Sequence, residues 1–229
     1  MQTTTGHVQE IVWGPEGLQA AWITCPPTSL PAPGQYLSAW SPEEPLAPLA
    51  ATLFAGEILS DRFLALPPLP SSWQPGTQLA LRGPLGHGFD PPETSRRIAL
   101  AALGQSCRRL IPLALQMLER GSAVALFTDA WFPPLPAALE ANPLNHLSEA
   151  LPWADFLAVE VDRTTLSRLR KGLGLHPADR LPVPAQALYL ADMPCAGLAA
   201  CGACWTPARR GLLYACSDGP VFNLDDLEW

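Results

Sequence analysis

The sequence predicts a β-rich N-terminal half, an α/β domain and a small metal-binding module, and three observations predict it. Residues 7–40 read as short strands separated by Gly and Pro turns. Residues 97–120 read as an apolar strand, a tight loop and a helix, which is how a nucleotide-binding βαβ unit opens. Four of the six cysteines crowd into residues 195–216. We set the boundaries at 1–93, 94–190 and 191–229.

Taken in order, HVQEIVWGPEGLQAAWITC (7–25) has apolar stretches on either side of Gly14-Pro15-Glu16-Gly17 and predicts a hairpin. Pro33-Gly34-Gln35-Tyr36 turns into a strand over Leu37–Trp40. Residues 59–75 are rich in proline and predict no regular element. Gln78–Arg82 alternates as a strand and leads into the tight turn Gly83-Pro84-Leu85-Gly86-His87-Gly88-Phe89, with His87 expected in solvent. A buried strand is expected at 97–103, then a helix at 108–120 with Leu110, Leu113, Ala114 and Met117 on one face. Next come a strand at 123–128, a short helix near 135–141, and a strand at 156–161. Asp162-Arg163-Thr164 starts a helix that runs to about Lys171, and a last strand spans 186–190. Cys25 and Cys107 stand alone and read as small buried residues.

Composition narrows the function classes. A chain of 229 residues can build two domains with cores of their own. Its net charge of −7 argues against a nucleic-acid partner. No apolar run reaches membrane-span length, and no basic-then-apolar leader opens the sequence. Clustered cysteines without a secretion signal favour metal binding in a reducing compartment, so a cytoplasmic protein is expected. Only 15% of residues are charged and 48% are hydrophobic, which predicts a large apolar face, buried or used for docking.

The cysteines are spaced C-x5-C-x2-C-x11-C, at Cys195, Cys201, Cys204 and Cys216. Small residues fill the first gaps: Ala196, Gly197, Ala199, Ala200, Gly202 and Ala203. Such a loop can curl tightly and aim several thiolates and amides at one centre. Plant-type [2Fe–2S] sites use C-x4-C-x2-C and a distant fourth cysteine. This chain has one more residue in the first gap. Structural zinc, usually held by two separate C-x2-4-C knuckles, is the rival metal, and buried free thiols are the metal-free alternative.

The run Ala215-Cys216-Ser217-Asp218-Gly219-Pro220-Val221-Phe222 resembles the ending of the electron-transfer subunits of dihydroorotate dehydrogenase, where the fourth cluster cysteine sits in C-x-D-G-P-V-F. Met193-Pro194-Cys195 resembles the approach to that family's first cysteine. The resemblance implies an antiparallel flavin-binding β-barrel of the ferredoxin-reductase type, a nucleotide-binding-like parallel α/β domain, and a [2Fe–2S] module on the four cysteines. It implies electron transfer with an FMN-bearing dihydroorotate dehydrogenase catalytic subunit in pyrimidine biosynthesis, or with another redox flavoprotein. Pro33–Tyr36 and the run Gly83–Phe89 match the family's third-strand approach and barrel exit.

Other segments depart from the family. Thr52 stands where the family has a serine beside FAD, but Pro48–Phe54 holds no arginine for the flavin diphosphate. Arg62 is a candidate replacement. The family's glycine loop is reduced to Gly104 in the segment 104–109, and its C-G-P segment beside nicotinamide is missing. FAD is thus a candidate cofactor with Thr52 as its candidate residue, and NAD binding is expected to be weak or absent. Cys107, Arg108 and Arg109 form a candidate anion site, with a packed loop as the alternative. Pro220–Leu224 is a candidate docking run, or else part of the core. No residue is assigned an acid–base role. The rival to electron transfer is a scaffold, or a zinc-bearing structural subunit, that has lost its nucleotide sites.

Overall fold

The computed structural model describes residues 3–14, 18–44, 49–104, 106–130, 134–176 and 179–229. The first hairpin's turn at 15–17, Pro48 and Gln105 lie outside the described residues.

Six strands form the N-terminal half: β1 (Thr3–Trp13), β2 (Gln19–Thr24), β3 (Tyr36–Trp40), β4 (Ala51–Ile58), β5 (Arg62–Ala65) and β6 (Gln78–Leu85). They close an antiparallel barrel in the order β1-β2-β5-β4-β3-β6. Alternate side chains point inward, as strand geometry requires, and Val8, Ile23, Leu37, Leu53, Phe63 and Leu81 fill the interior. β5 lies in the segment expected to be irregular. Its four residues, RFLA, pair with β2 and β4 before the prolines begin at Pro67. Proline composition around it hid a short strand that neighbouring strands complete.

The α/β domain comprises β7 (Arg97–Ala102), α1 (Ile111–Glu119), β8 (Ala123–Thr128), β9 (Leu139–Asn142), α2 (Leu147–Ala150), β10 (Phe156–Asp162), α3 (Arg163–Gly172) and β11 (Ala185–Leu190). Its parallel strands run β11-β10-β7-β8-β9. β7 is buried on both faces: Ile98, Leu100 and Ala102 pack under α1, while Ala99 and Ala101 face the other core. The strand order reverses between β7 and β10, so the crevice at their C-terminal ends is the switch point of a doubly wound sheet.

One expectation in this domain is overturned. The alanine-rich segment near 135–141 does not form a helix. Its end, Leu139–Asn142, pairs with β8 as an edge strand and buries Leu139. Four residues of pairing along a ready sheet edge outweigh a weak local helix preference.

α3 begins where Asp162 accepts from the amides of Thr164 and Thr165, both at 2.8 Å. The Thr165 hydroxyl accepts in return from the Asp162 amide, which makes a capping box.

The C-terminal segment adds β12 (Trp205–Ala208), β13 (Gly211–Tyr214) and β14 (Val221–Asn223). β12 and β13 form a two-stranded ribbon, whereas β14 pairs antiparallel with β11 and extends the large sheet to six strands. Val221, Phe222 and Leu224 are therefore buried, and the Phe222 ring meets Tyr189 edge-on at 6.5 Å. The candidate docking run is core. Its apolar residues cover the edge of a parallel sheet.

Candidate metal centre and the adjoining cleft

The loop 193–204 turns through a series of left-handed residues: Ala196, Gly197, Ala199 and Gly202 all have positive φ. That backbone curls amides inward and makes a concavity for anionic atoms. Burial would push the Cys195 thiol up, but the amides of Ala200, Cys201 and Leu198 and the Cys201 side chain bring it down to about 6. The Ala203 amide donates to Cys201 Sγ at 3.4 Å. Cys216 is pushed up to about 12, by burial first, then by hydrogen bonding and charge from Cys204, against a lowering contact from the Ala199 amide. Cys204 and Cys216 are buried, Cys195 is half-buried and Cys201 is exposed.

The structure thus brings all four predicted cysteines together, linked as Cys195 with Cys201 and Cys204 with Cys216. Among the described residues, no group of three His, Cys, Asp or Glu side chains is placed to hold a metal ion. Four thiols, three of which take backbone N–H donors, are a donor set whose chemistry suits an iron–sulfur cluster.

Three sequence motifs from distant parts of the chain lock this loop in place. The Tyr36 hydroxyl, at the start of β3, donates to the carbonyl of Cys216 at 3.0 Å. Burial first, and then the charges of Cys216, Cys204 and Cys195, hold that phenol well above its usual range. A Cβ on Gly197 would lie 2.6 Å from the same hydroxyl, so only glycine fits there. The barrel-exit turn meets the loop too. The His87 amide donates to Gly219 O at 2.6 Å, and a Cβ on Gly86 would strike Pro220. The Gln35 side chain donates to Gly86 O at 3.1 Å and completes the knot. His87 keeps its side chain exposed, as expected.

Beside the loop, a cleft of about 960 Å³ opens between barrel and sheet. Thr52, Phe54, Pro67, Arg109, Met193 and Ala203 are among its walls. The cysteine loop therefore forms one end of the cleft. A second chamber of about 700 Å³ lies over the switch point, lined by Gly104, Ser106, Arg108 and Glu160.

Polar groups for a diphosphate are sparse on the barrel side. Leu49, exposed, stands where a cation was sought, and Pro67, Pro68 and Pro70 carry no N–H. Arg62 does not replace it. Its guanidinium donates to Gln9 Oε1 at 2.8 Å and lies 5.2 Å from the Trp22 ring centre, and it lines neither chamber. The cations of the cleft are Arg109 and Arg163, both from the α/β side.

At 107–109, the candidate anion site or packed loop, the three side chains go different ways, with Arg108 lining the second chamber. Cys107 is buried, and burial pushes its thiol up to about 11. Arg109 is turned away from the loop into a buried ion pair with Glu160 at 2.9 Å. Sequence reasoning passed over Glu160, although a lone acid inside the apolar strand FLAVEV was a signal that a buried cation would accompany it.

An antiparallel barrel, a doubly wound sheet and a cleft between them define a ferredoxin-reductase-like fold. A structure of NADH-dependent reduced ferredoxin–NADP oxidoreductase, described in connection with flavin-based electron bifurcation, superposes with a TM-score of 0.76 at 18% identity, over 98% of this chain and 90% of that one. Phthalate dioxygenase reductase, described as a modular structure for electron transfer from pyridine nucleotides to [2Fe–2S], gives a TM-score of 0.55 at 11% identity, covering 81% and 68%. The ferredoxin reductase of carbazole 1,9a-dioxygenase gives 0.57 at 14% identity, covering 76% and 66%.

Residues 192–228 match the iron–sulfur cluster binding domain of dihydroorotate dehydrogenase B. No curated protein sequence matches the chain. The chain is similar to the electron-transfer subunit of dihydroorotate dehydrogenase and carries an iron–sulfur cluster binding domain on a ferredoxin-reductase-like fold.

Proposed function

We propose that the chain is an electron-transfer subunit in which Cys195, Cys201, Cys204 and Cys216 hold a [2Fe–2S] cluster at one end of a cleft that receives the ring of FAD. One observation carries this reading: Met193, Pro194 and Ala203 of the cysteine loop are also walls of the cleft, so the two redox groups would be neighbours. Thr52 on β4 would hydrogen-bond the flavin, and Phe54 and Arg109 would line its site. A flavin would supply the exchange between two-electron and one-electron steps. Amides of the loop would stabilise negative charge at the cluster, and Tyr36 holds the backbone of the fourth cysteine in register.

The three modules are read as 1–93, 94–190 and 191–229, the last being stitched to the sheet by β14. By likeness to the matched domain, the partner would be an FMN-bearing dihydroorotate dehydrogenase catalytic subunit, with a place in pyrimidine biosynthesis. Docking would use the loop around Leu198, which is 61% exposed between two ligands, and exposed Cys201. Among the described residues, no helix is long and apolar enough to cross a membrane. A cluster-only carrier is the second reading, favoured by Leu49 and the prolines that replace diphosphate donors.

Anaerobic purification followed by addition of FAD separates the two. Iron and sulfide with tightly retained flavin support the full transfer subunit, and iron and sulfide with no flavin uptake support the cluster-only carrier. Recovery of a flavoprotein with the native chain at low salt tests the partner. A chain that always runs alone contradicts that part of the reading.

A further inference from the structure

The two chambers share Pro67, Pro68, Arg109, Asp162, Thr164 and Leu190 as walls. Arg109 reaches across that boundary. One guanidinium nitrogen donates to Glu160 on β10 at 2.9 Å, and another donates to the Pro67 carbonyl at 2.9 Å. The guanidinium carbon also lies 5.9 Å from the Phe54 ring centre on β4. A single side chain thus ties the sheet to two separate segments of the barrel half. Glu160 is 2% exposed, and its second carboxylate oxygen and Arg109 Nε have no hydrogen-bond partner among the described residues. Swinging Arg109 aside would leave a carboxylate buried without its cation, so the side chain is held where it stands.

We propose that Arg109 and Glu160 are a fixed strut that separates the two chambers, and that this strut determines which electron donors the protein accepts. The inference rests on the reading that the cleft beside Thr52 holds a flavin ring. Hydride transfer needs donor carbon and acceptor atom within roughly 3–3.5 Å, so the two rings must stack directly. A ring bound over the switch point would meet the guanidinium, not the flavin. A guanidinium between two rings holds them roughly 7 Å apart at ordinary contact distances of about 3.5 Å on each side. The pair thus excludes a pyridine nucleotide as direct hydride donor and leaves single-electron exchange through the cluster. This account does not depend on the missing glycines at 104–109. It locates the block in two side chains that can be removed.

The test compares three proteins matched for folding by circular dichroism and for iron content: the wild type, an opened variant (Arg109→Gly with Glu160→Thr), and a filled variant (Arg109→Met with Glu160→Gln). Both variants remove the two charges together, so neither is left orphaned. NADH binding is measured by fluorescence titration, and reduction by NADH and by dithionite is followed by stopped-flow absorbance. The flavin-loaded opened variant should be bleached by NADH at least tenfold faster than the wild type, and the filled variant should behave like the wild type. Dithionite should bleach the wild type and NADH should not.

A flavin-loaded opened variant that binds NADH but is reduced no faster than wild type overturns the strut. A filled variant that is reduced as fast as the opened one overturns exclusion by volume. Rapid bleaching of the wild type by NADH overturns the proposal outright, whether or not the opened variant folds. A preparation that holds iron and takes up no flavin overturns the flavin reading and the strut with it, whereas a flavin-loaded opened variant that NADH reduces no faster overturns the strut alone.

Discussion

The cysteine loop and the cleft beside it share a wall, yet they are specified differently. The loop is fixed by backbone: left-handed alanines and glycines, amides turned inward, and a Gly197 that Tyr36 leaves no room to replace. Nearly all of its chemistry lies in residue types and spacings. The cleft is fixed by topology: a barrel, a switch point and the gap between them. Topology tolerates exchange of the side chains that line it, and here Leu49, three prolines and Arg109, which is paired with Glu160, are among those walls. A ligand site made of backbone and spacing persists with its fold, whereas one made of side chains can be emptied while the fold stands.

The sharpest way to break this contrast is at the loop. Replacing Cys204 by Ser removes a buried thiol from the set, and visible absorption and iron content should both collapse. Unchanged iron would remove Cys204 from the ligand set.

At the cleft, Arg109→Ala alone should destabilise the fold by about 3–5 kcal/mol in urea unfolding, because it strands the Glu160 carboxylate. Burial, the largest influence, holds the Glu160 pKa above its ordinary value despite the neighbouring Arg109. An acid whose pKa is raised by folding binds its proton more tightly in the native state. Stability therefore falls as pH rises from the usual carboxylate range to the raised value. That fall should steepen in Arg109→Ala, and parallel pH profiles for variant and wild type would show that Arg109 does not face the carboxylate.

Tyr36→Phe removes the hydrogen bond to Cys216 and should cost about 1 kcal/mol, together with a shift in the cluster's reduction potential. Lost stability without any change in potential would make Tyr36 a packing residue only. Asp162→Ala removes the cap of α3 and should cost about 1 kcal/mol at neutral pH. Burial opposes ionisation of Asp162, but the amides and hydroxyls of Thr165 and Thr164 outweigh it and hold the pKa below the ordinary value. The wild-type advantage is thus present above the usual carboxylate range and fades as pH falls through the lowered value. A difference that persists undiminished at low pH would contradict the cap.

Much of this was legible in sequence because local signals and global fold agree. Pro33–Tyr36, Gly83–Phe89 and Cys216–Phe222 each read as turns with a family likeness. The structure explains their glycines together, since Gly34 and Gly86 sit where the three segments touch. β9 and β5 were not legible, because an edge strand and a four-residue strand owe their form to neighbours. Val221 and Phe222 were ambiguous because an apolar run reads the same whether it covers a partner or its own sheet. The Arg109–Glu160 pair was hidden by distance: Glu160 inside an apolar strand signals a buried cation, but its partner lies 51 residues away and Arg109 alone reads as an ordinary charge.

The central claim is that residues 192–228 carry iron and sulfide beside the cleft. Assay of iron, acid-labile sulfide and zinc on anaerobically purified protein tests it most directly. About two iron and two sulfide per chain, with negligible zinc, is the predicted result for a [2Fe–2S] site. One zinc per chain with no sulfide would contradict it and make the module a structural metal site.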